Sequence, residues 1–347
     1  MLIIANGCEN KAVWNALKLH INFIEANREN IFFIVKDKYR DIILNDYPEQ
    51  TIVTYSNRID LIKKILLHQE SKLYAPDTYS VLYASIAKIL KHKEIYFWLQ
   101  GVSPEESYLK HASKIKYYIL SLLESLALIV SDKIIFVSQD MKKYIEQKYH
   151  KKYKKSIVVP CISEFTYDGS KKEKDSFVYI GGMSAWQRVD IMMQMFNVIC
   201  TFKSEAKFYI ATLEIEIAKN LMKKFIDSKF QSKVIILSIE DRSKITKFLS
   251  TKEYGFLIRD NIVVNQVSSP IKLAEYLSCG VNVIISSALD FYATQVEEYK
   301  AGIKISDIED INVVKSFCTN IQNAETLYKK YFSKEQHQTS YAKLMEA

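Results

Sequence analysis

The chain has 347 residues, 48% hydrophobic and 25% charged, with 8 glycines, 5 prolines and a formal net charge of +8. This length suits two domains, the apolar content excludes a disordered chain, and so few glycines and prolines argue against all-β architecture or long flexible linkers. The five cysteines (Cys8, Cys161, Cys200, Cys279, Cys318) stand singly without CxxC spacing, which argues against a disulfide framework and predicts reduced thiols in a cytosolic protein.

The chain opens on the apolar run Leu2–Ala5, which reads as a first strand rather than a leader, with Asn6-Gly7 as its turn. Further strands are predicted at Ile31–Val35, Ile52–Thr54, Ile95–Leu99, Ile134–Val137 and Ile157–Val159. Helices are predicted at Lys11–Glu25, Ile59–Leu67, Thr78–Leu90, Glu106–Val130 and Asp140–Tyr149. Alternation of this kind implies a parallel sheet covered on both faces. The longest apolar stretch, Ile119 to Val130, carries Glu124 and is too short to span a bilayer.

A polar, aperiodic segment around Ser163 to Lys174 reads as a linker. A second alternating series follows, with strands at Phe177–Ile180, Phe208–Ile210, Val234–Leu237, Tyr254–Ile258 and Val283–Ile285. Its helices are predicted at Val189–Thr201, Glu216–Ile226, Ser243–Leu249, Pro270–Ser278 and Phe291–Glu298. Two such series give an α/β protein of two Rossmann-like doubly wound domains facing across a cleft. The expected segments are 1–162, a linker at 163–175, 176–320, and a terminal helical segment at 321–347. Ligands of such sheets bind beyond the carboxyl ends of the strands.

The most informative stretch is 254–285. Ser269 is a natural N-cap, Pro270 suits the first helical position, and Gly280 supplies a left-handed stop. The helix start at Ser268, Ser269, Pro270 and Ile271 then offers N–H groups and a positive dipole end to an anion. Lys272 adds a formal charge, and Glu275, about a turn on, is an acceptor for a sugar hydroxyl. Another strand runs into Gly181-Gly182, where backbone can approach a ligand closely. Arg188 and Arg259 are the nearby candidates for a guanidinium fork on phosphate. In the first half, the strand ending at Leu99 turns at Gln100-Gly101. Glu105 and Glu106 follow in the first turn of a helix, where acids are favoured by the dipole alone.

Residues 254–285 resemble the nucleotide-sugar-binding region of bacterial family 4 glycosyltransferases (glycosyl transferases group 1), which have the GT-B fold. Glu275 occupies the place of the family's ribose-binding Glu, whereas the Glu expected eight residues earlier is Val267. Residues 269–277 match a subgroup reading Ser-Pro-x-Lys-x-x-Glu-Tyr-Leu. The segment from Phe177 resembles the family's Gly-Arg-Leu-Ser loop, but its diphosphate-binding Arg and Lys are replaced by Gly182 and Gln187. Ile95 to Glu106 resembles a segment with His near the transferred sugar, and Gln100 stands at that place. The run from Ser131 is similar to the family's last first-domain strand, with Ser138 as a helix cap.

The resemblance implies transfer, with retained anomeric configuration, from a nucleotide-diphosphate sugar of UDP or GDP type to a saccharide or polyprenyl-linked acceptor, in bacterial surface polysaccharide assembly. Gln100, Gly101 and Lys272 are the implied catalytic positions. Gly181, Gly182, Arg188, Arg259, Ser268 to Lys272 and Glu275 would bind the donor; Asn6, Gly7, Glu105 and Glu106 would lie on the acceptor side. It also implies a terminal helix packed on the first domain. No cofactor and no metal are expected: the six histidines show no HxH or HExxH spacing and no DxD signature occurs.

Residues 1–165 hold 24 Lys+Arg against 18 Asp+Glu, so most of the positive excess lies in the first half. Mixed lysines and tyrosines at 108–118 and 142–155 suit an anionic membrane surface, which predicts a cytoplasmic protein peripheral to the inner face of the plasma membrane. No nucleic-acid fold signature accompanies them. Two other readings remain open: a non-catalytic glycosyltransferase-like subunit holding a partner or carrier, and a sugar-nucleotide epimerase.

Overall fold

A computed structural model of the protein describes residues 1–27 and 29–346. Arg28 and Ala347, which fall in the expected segments 1–162 and 321–347, lie outside the described residues. The chain divides into two compact units. The first comprises Met1–Pro160, Val267–Ser269 and Lys334–Ala347; the second comprises Cys161–Gln266 and Pro270–Ser333.

The first unit holds β1 (Leu2–Ile4), β2 (Phe32–Lys36), β3 (Thr51–Tyr55), β4 (Lys72–Ala75), β5 (Glu94–Leu99), β6 (Lys133–Phe136) and β7 (Ser156–Val158). They form one parallel sheet ordered β3-β2-β1-β4-β5-β6-β7. Its helices are α1 (Lys11–Ala26), α2 (Arg40–Asp46), α3 (Arg58–Leu67), α4 (Thr78–Lys91), α5 (Ser103–His111), α6 (Lys114–Val130) and α7 (Gln139–Lys148). The central strands are continuously buried, which is why they read as apolar runs rather than alternating ones. The order reverses between β1 and β4, and in such sheets the crevice opens at that junction.

The second unit repeats the design with β8 (Glu173–Ile180), β9 (Lys207–Ala211), β10 (Val234–Leu237), β11 (Lys252–Leu257), β12 (Asn282–Ser286) and β13 (Gly302–Ile305), ordered β10-β9-β8-β11-β12-β13 and parallel. Its helices are α8 (Val189–Cys200), α9 (Ile215–Phe225), α10 (Arg242–Ser250), α11 (Val263–Gln266), α12 (Ile271–Ser278), α13 (Asp290–Glu298) and α14 (Ile321–Phe332). The reversal falls between β8 and β11. Both sheets are Rossmann-like and doubly wound.

Several elements differ from expectation. The helix predicted over Glu106–Val130 is two helices. Ala112 takes a left-handed φ of 50°, and Ser113 then caps α6 by accepting from Lys116 N at 3.3 Å. Strands β4 (KLYA) and β13 (GIKI) went unpredicted because lysine, glycine or alanine breaks up the short apolar run in each. The segment read as a linker is partly core: β8 begins at Glu173, and Phe165 is buried among the apolar side chains of the second unit. The terminal segment is α14, which packs on α12, and α15 (Lys334–Glu346), which packs on α1. Tyr341 of α15 stacks on Phe23 with ring centroids 5.1 Å apart and bonds the ring of His20, whose burial pushes its pKa down to about 3.

The placement of α12 depends on Gly255 in β11. A Cβ there would meet the Tyr276 ring at 2.6 Å, so only glycine lets α12 settle this close to the sheet. Gly255→Ala should therefore cost about 1–3 kcal/mol by overpacking. Thermal denaturation checks it, and an unchanged midpoint would contradict this account of the packing.

Candidate functional site

In the second unit the chain leaves β8 at Gly181-Gly182 and β11 at Arg259, on either side of the reversal. Gly181 adopts φ +136°, a conformation that side chains resist. A Cβ on it would meet Lys272 Cε at 2.6 Å and Nζ at 2.9 Å, so its bare backbone is what admits the lysine. Lys272 Nζ donates to Gln187 Oε1 at 3.1 Å, and Arg259 Nη1 donates to the same oxygen. Two cations thus converge on one neutral acceptor. Arg259 is also fixed through its backbone N–H, which donates to Ser286 Oγ at 2.9 Å.

Both cations are held in surroundings that disfavour their charge. Burial, then the neighbouring Arg259 charge, push the Lys272 pKa down to about 7, while Glu275 pulls it the other way. Burial likewise lowers the Arg259 pKa. An anion between them would relieve both effects.

The start of α12 differs by one residue from the sequence reading. Pro270, not Ser269, occupies the N-cap, with ψ 117°, and its carbonyl accepts from Leu273 N at 3.0 Å. Ser269 and Glu275 are buried. Arg188 is engaged elsewhere: with φ 50° it ion-pairs with Asp190 at 3.2 Å and with Asp260. Of the two arginines, Arg259 is the one that converges with Lys272. Gly182 contributes its carbonyl, which accepts from Tyr179 Oη at 2.6 Å.

In the first unit, a cavity of about 410 Å³ sits at the carboxyl ends of β1, β4 and β5. Asn6, Gly7, Gln100, Gly101 and Glu106 line it, together with Asp77. Gln100 Nε2 donates to Pro76 O at 2.8 Å, and Asn6 Nδ2 donates to Asp77 Oδ2 at 2.9 Å. A neighbouring cavity of about 290 Å³ shares Asn6 and Glu9 and adds Lys36, Arg58 and several tyrosines. Among the described residues no cluster of His, Cys, Asp or Glu could hold a metal ion.

Glu105 faces away from these cavities. It is buried, where it accepts from Lys148 Nζ at 2.8 Å, Tyr144 Oη at 2.7 Å and Tyr117 Oη at 3.2 Å. Two consecutive helical residues point about 100° apart, so Glu106 and Glu105 cannot share a site.

No protein-family model and no curated protein sequence matches the chain. Solved structures do. Anabaena HepE in complex with UDP superposes with TM-score 0.71 at 13% identity over 99% of both chains. The lipopolysaccharide outer core galactosyltransferase WaaB superposes at 0.68 with 13% identity over 100% of both. Sucrose-phosphate synthase from Thermosynechococcus elongatus superposes at 0.68 with 12% identity over 93% of this chain and 90% of its own. The chain has the GT-B fold. At such identities the likeness speaks for the GT-B architecture alone.

Sequence reasoning named Lys272, Arg259 and Gly181 but treated Gln187 only as a lost cation. It also passed over Tyr276, Asp77, Lys36 and Arg58. Lys36 ends β2 and Arg58 follows the turn after β3, and those positions were the signal that marked them; Asp77 follows β4, a strand the sequence did not reveal.

Lys272 gives a pH test. Bound diphosphate favours the ammonium, so affinity should be level below pH about 7, where the lysine is already charged. Above it, affinity should fall by up to about tenfold per pH unit, as each complex must take up a proton. Calorimetry with UDP against pH checks this, with Lys272→Arg as control for the ligand's own ionisation. Identical pH profiles for the two proteins would rule the mechanism out.

Proposed function

We propose that the protein is a glycosyltransferase of family 4 type that binds a nucleotide-diphosphate sugar in its second unit. The observation that carries this reading is the meeting of Lys272 and Arg259 on Gln187 Oε1 beside the Gly181 backbone. Gln187 marks where an oxygen of the diphosphate would sit. Displacing the Gln187 amide with a charged oxygen strengthens both contacts, since charge-assisted hydrogen bonds are roughly twice as strong as neutral ones. Negative charge builds on the leaving diphosphate during transfer, so two fixed cations lower the barrier where it develops. Glu275, on the same helix as Lys272, is assigned to the nucleotide ribose. HepE was solved with UDP-glucose as well as with UDP, which supports a donor of UDP type.

The sugar acceptor, a saccharide or a polyprenyl-linked saccharide of a bacterial surface polysaccharide, is assigned to the first-unit cavity. Gln100 and the Gly101 backbone would orient its hydroxyl. Transfer with retained configuration follows if the leaving phosphate takes the acceptor proton. Glu106 and Glu9 also line that cavity, and a carboxylate acting as base would instead invert the centre. Proton NMR of the first-formed product distinguishes the two outcomes.

The non-catalytic alternative draws on Val267, Gly182 and Gln187, which replace groups the resemblance expects. Lys272→Ala should weaken UDP binding by about 1.5–3 kcal/mol, the range for a hydrogen bond to a charged group. It should abolish transfer, as should Glu275→Ala, with both proteins remaining folded by circular dichroism. Wild-type turnover by both variants would refute the assignment. UDP-sugar binding without turnover by the wild type, across an acceptor panel, would instead favour the non-catalytic subunit.

A further inference from the structure

The outer surface of the first unit carries large apolar side chains that its own fold leaves uncovered. On α6, Ile115, Tyr118, Ile119, Leu122, Leu126 and Ile129 are 42–76% exposed. Their spacing of three or four residues puts them on one face, which runs for about 21 Å at 1.5 Å per residue. Helix α4 packs along α6 and extends the surface with Ile86, Ile89 and Leu90, of which Ile89 is 73% exposed. A contiguous apolar surface of this extent marks an interaction site rather than ordinary exposure.

The exposed charges on the segment that carries it have one sign. From Thr78 to Val130 the exposed charged residues are Lys91, Lys110, Lys114 and Lys116, and no acidic residue in that span is exposed. The acids of the span are engaged elsewhere. Glu105 and Glu124 pair with Lys148 at 2.8 and 2.9 Å, Glu94 pairs with Lys133 at 3.0 Å, and Glu106 lies in the cavity beside Gly101. An apolar stripe bordered by lysines matches the layering of an anionic membrane, with acyl chains beneath and negative headgroups at the edge. A second copy packed with its α6 parallel fits less well, because the two-fold would set the lysine-bearing ends against each other.

We propose that the α4–α6 face docks on an anionic lipid bilayer, with the α6 stripe entering the acyl boundary and Lys110, Lys114 and Lys116 on the headgroups. This goes beyond the transfer reading and holds whether or not the chain transfers sugar. No helix among the described residues is long and apolar enough to cross a membrane, so α6 lies in the interface rather than spanning it. The proposal also redraws the membrane surface expected from sequence. In 142–155, Tyr144 and Tyr149 bond the buried Glu105 and Glu124, and Tyr153 is itself buried, so these rings are not interfacial.

Co-sedimentation of the full chain with vesicles of equal parts phosphatidylglycerol and phosphatidylcholine tests it, against phosphatidylcholine alone. The wild type should bind the mixed vesicles and not the neutral ones. Ile119→Glu/Leu122→Glu and Lys114→Glu/Lys116→Glu should each reduce binding about tenfold or more. These side chains are exposed, so both proteins should melt as the wild type does. Ile119→Ser/Leu122→Ser serves if the acidic pair misfolds. Failure of the wild type to bind mixed vesicles overturns the proposal. So does a loss confined to the lysine variant, or a wild-type dimer that the Ile119/Leu122 variants dissolve without any vesicle binding. UDP binding, measured in parallel, reports separately on the transfer reading.

Discussion

The candidate anion site depends on one buried phenol. Tyr276 is fully buried on α12, and its hydroxyl accepts from Ile180 N at 3.2 Å and faces Phe256 O at 3.4 Å. Those two backbone groups belong to β8 and β11, the strands that flank the reversal of the second sheet. Burial raises the phenol's pKa well above its ordinary value, so it stays a neutral donor and acceptor. One side chain thus ties the helix to both strands at the point where their loops diverge. Lys272 lies on the same helix, and Gly181 directly follows Ile180. Their approach is therefore set by packing beneath the site, as a preorganised charge requires.

A comparable arrangement organises the first unit. Lys148 of α7 holds Glu105 of α5 and Glu124 of α6, while Tyr117, Tyr144 and Tyr149 direct hydroxyls at the same two carboxylates. Burial raises the Glu124 pKa, with Lys148 opposing it. Keeping these acids inside leaves the outward faces of α5 and α6 cationic and apolar. The same ion pairs that stitch three helices together thereby set the character of the surface above them.

Much of the architecture was legible because buried parallel strands are continuous apolar runs and the helices between them keep their period. What escaped was short or non-local. Lys72–Ala75 and Gly302–Ile305 lack a continuous apolar run, and the break at Ala112 interrupts a run whose apolar period continues across it. At the site, the Ser-Pro-x-Lys-x-x-Glu-Tyr-Leu pattern led to Lys272, and strand ends led to Gly181 and Arg259. That Gln187 would lie between the two cations could not be read from the chain, since 85 residues separate it from Lys272. Glu105 was hard to place for the opposite reason. An acid in a first helical turn looks alike in sequence whether it faces a ligand or a buried lysine.

Helix α15 carries a consequence for how the protein is made. Its Tyr341 fills a place in the first unit's core against Phe23 and His20, yet 321 positions separate it from His20 along the chain. Chains emerge from the ribosome amino end first, and domains ordinarily fold in that order. Here the unit translated first is the one that must wait, its interior incomplete until a helix encoded beyond the second unit has been made.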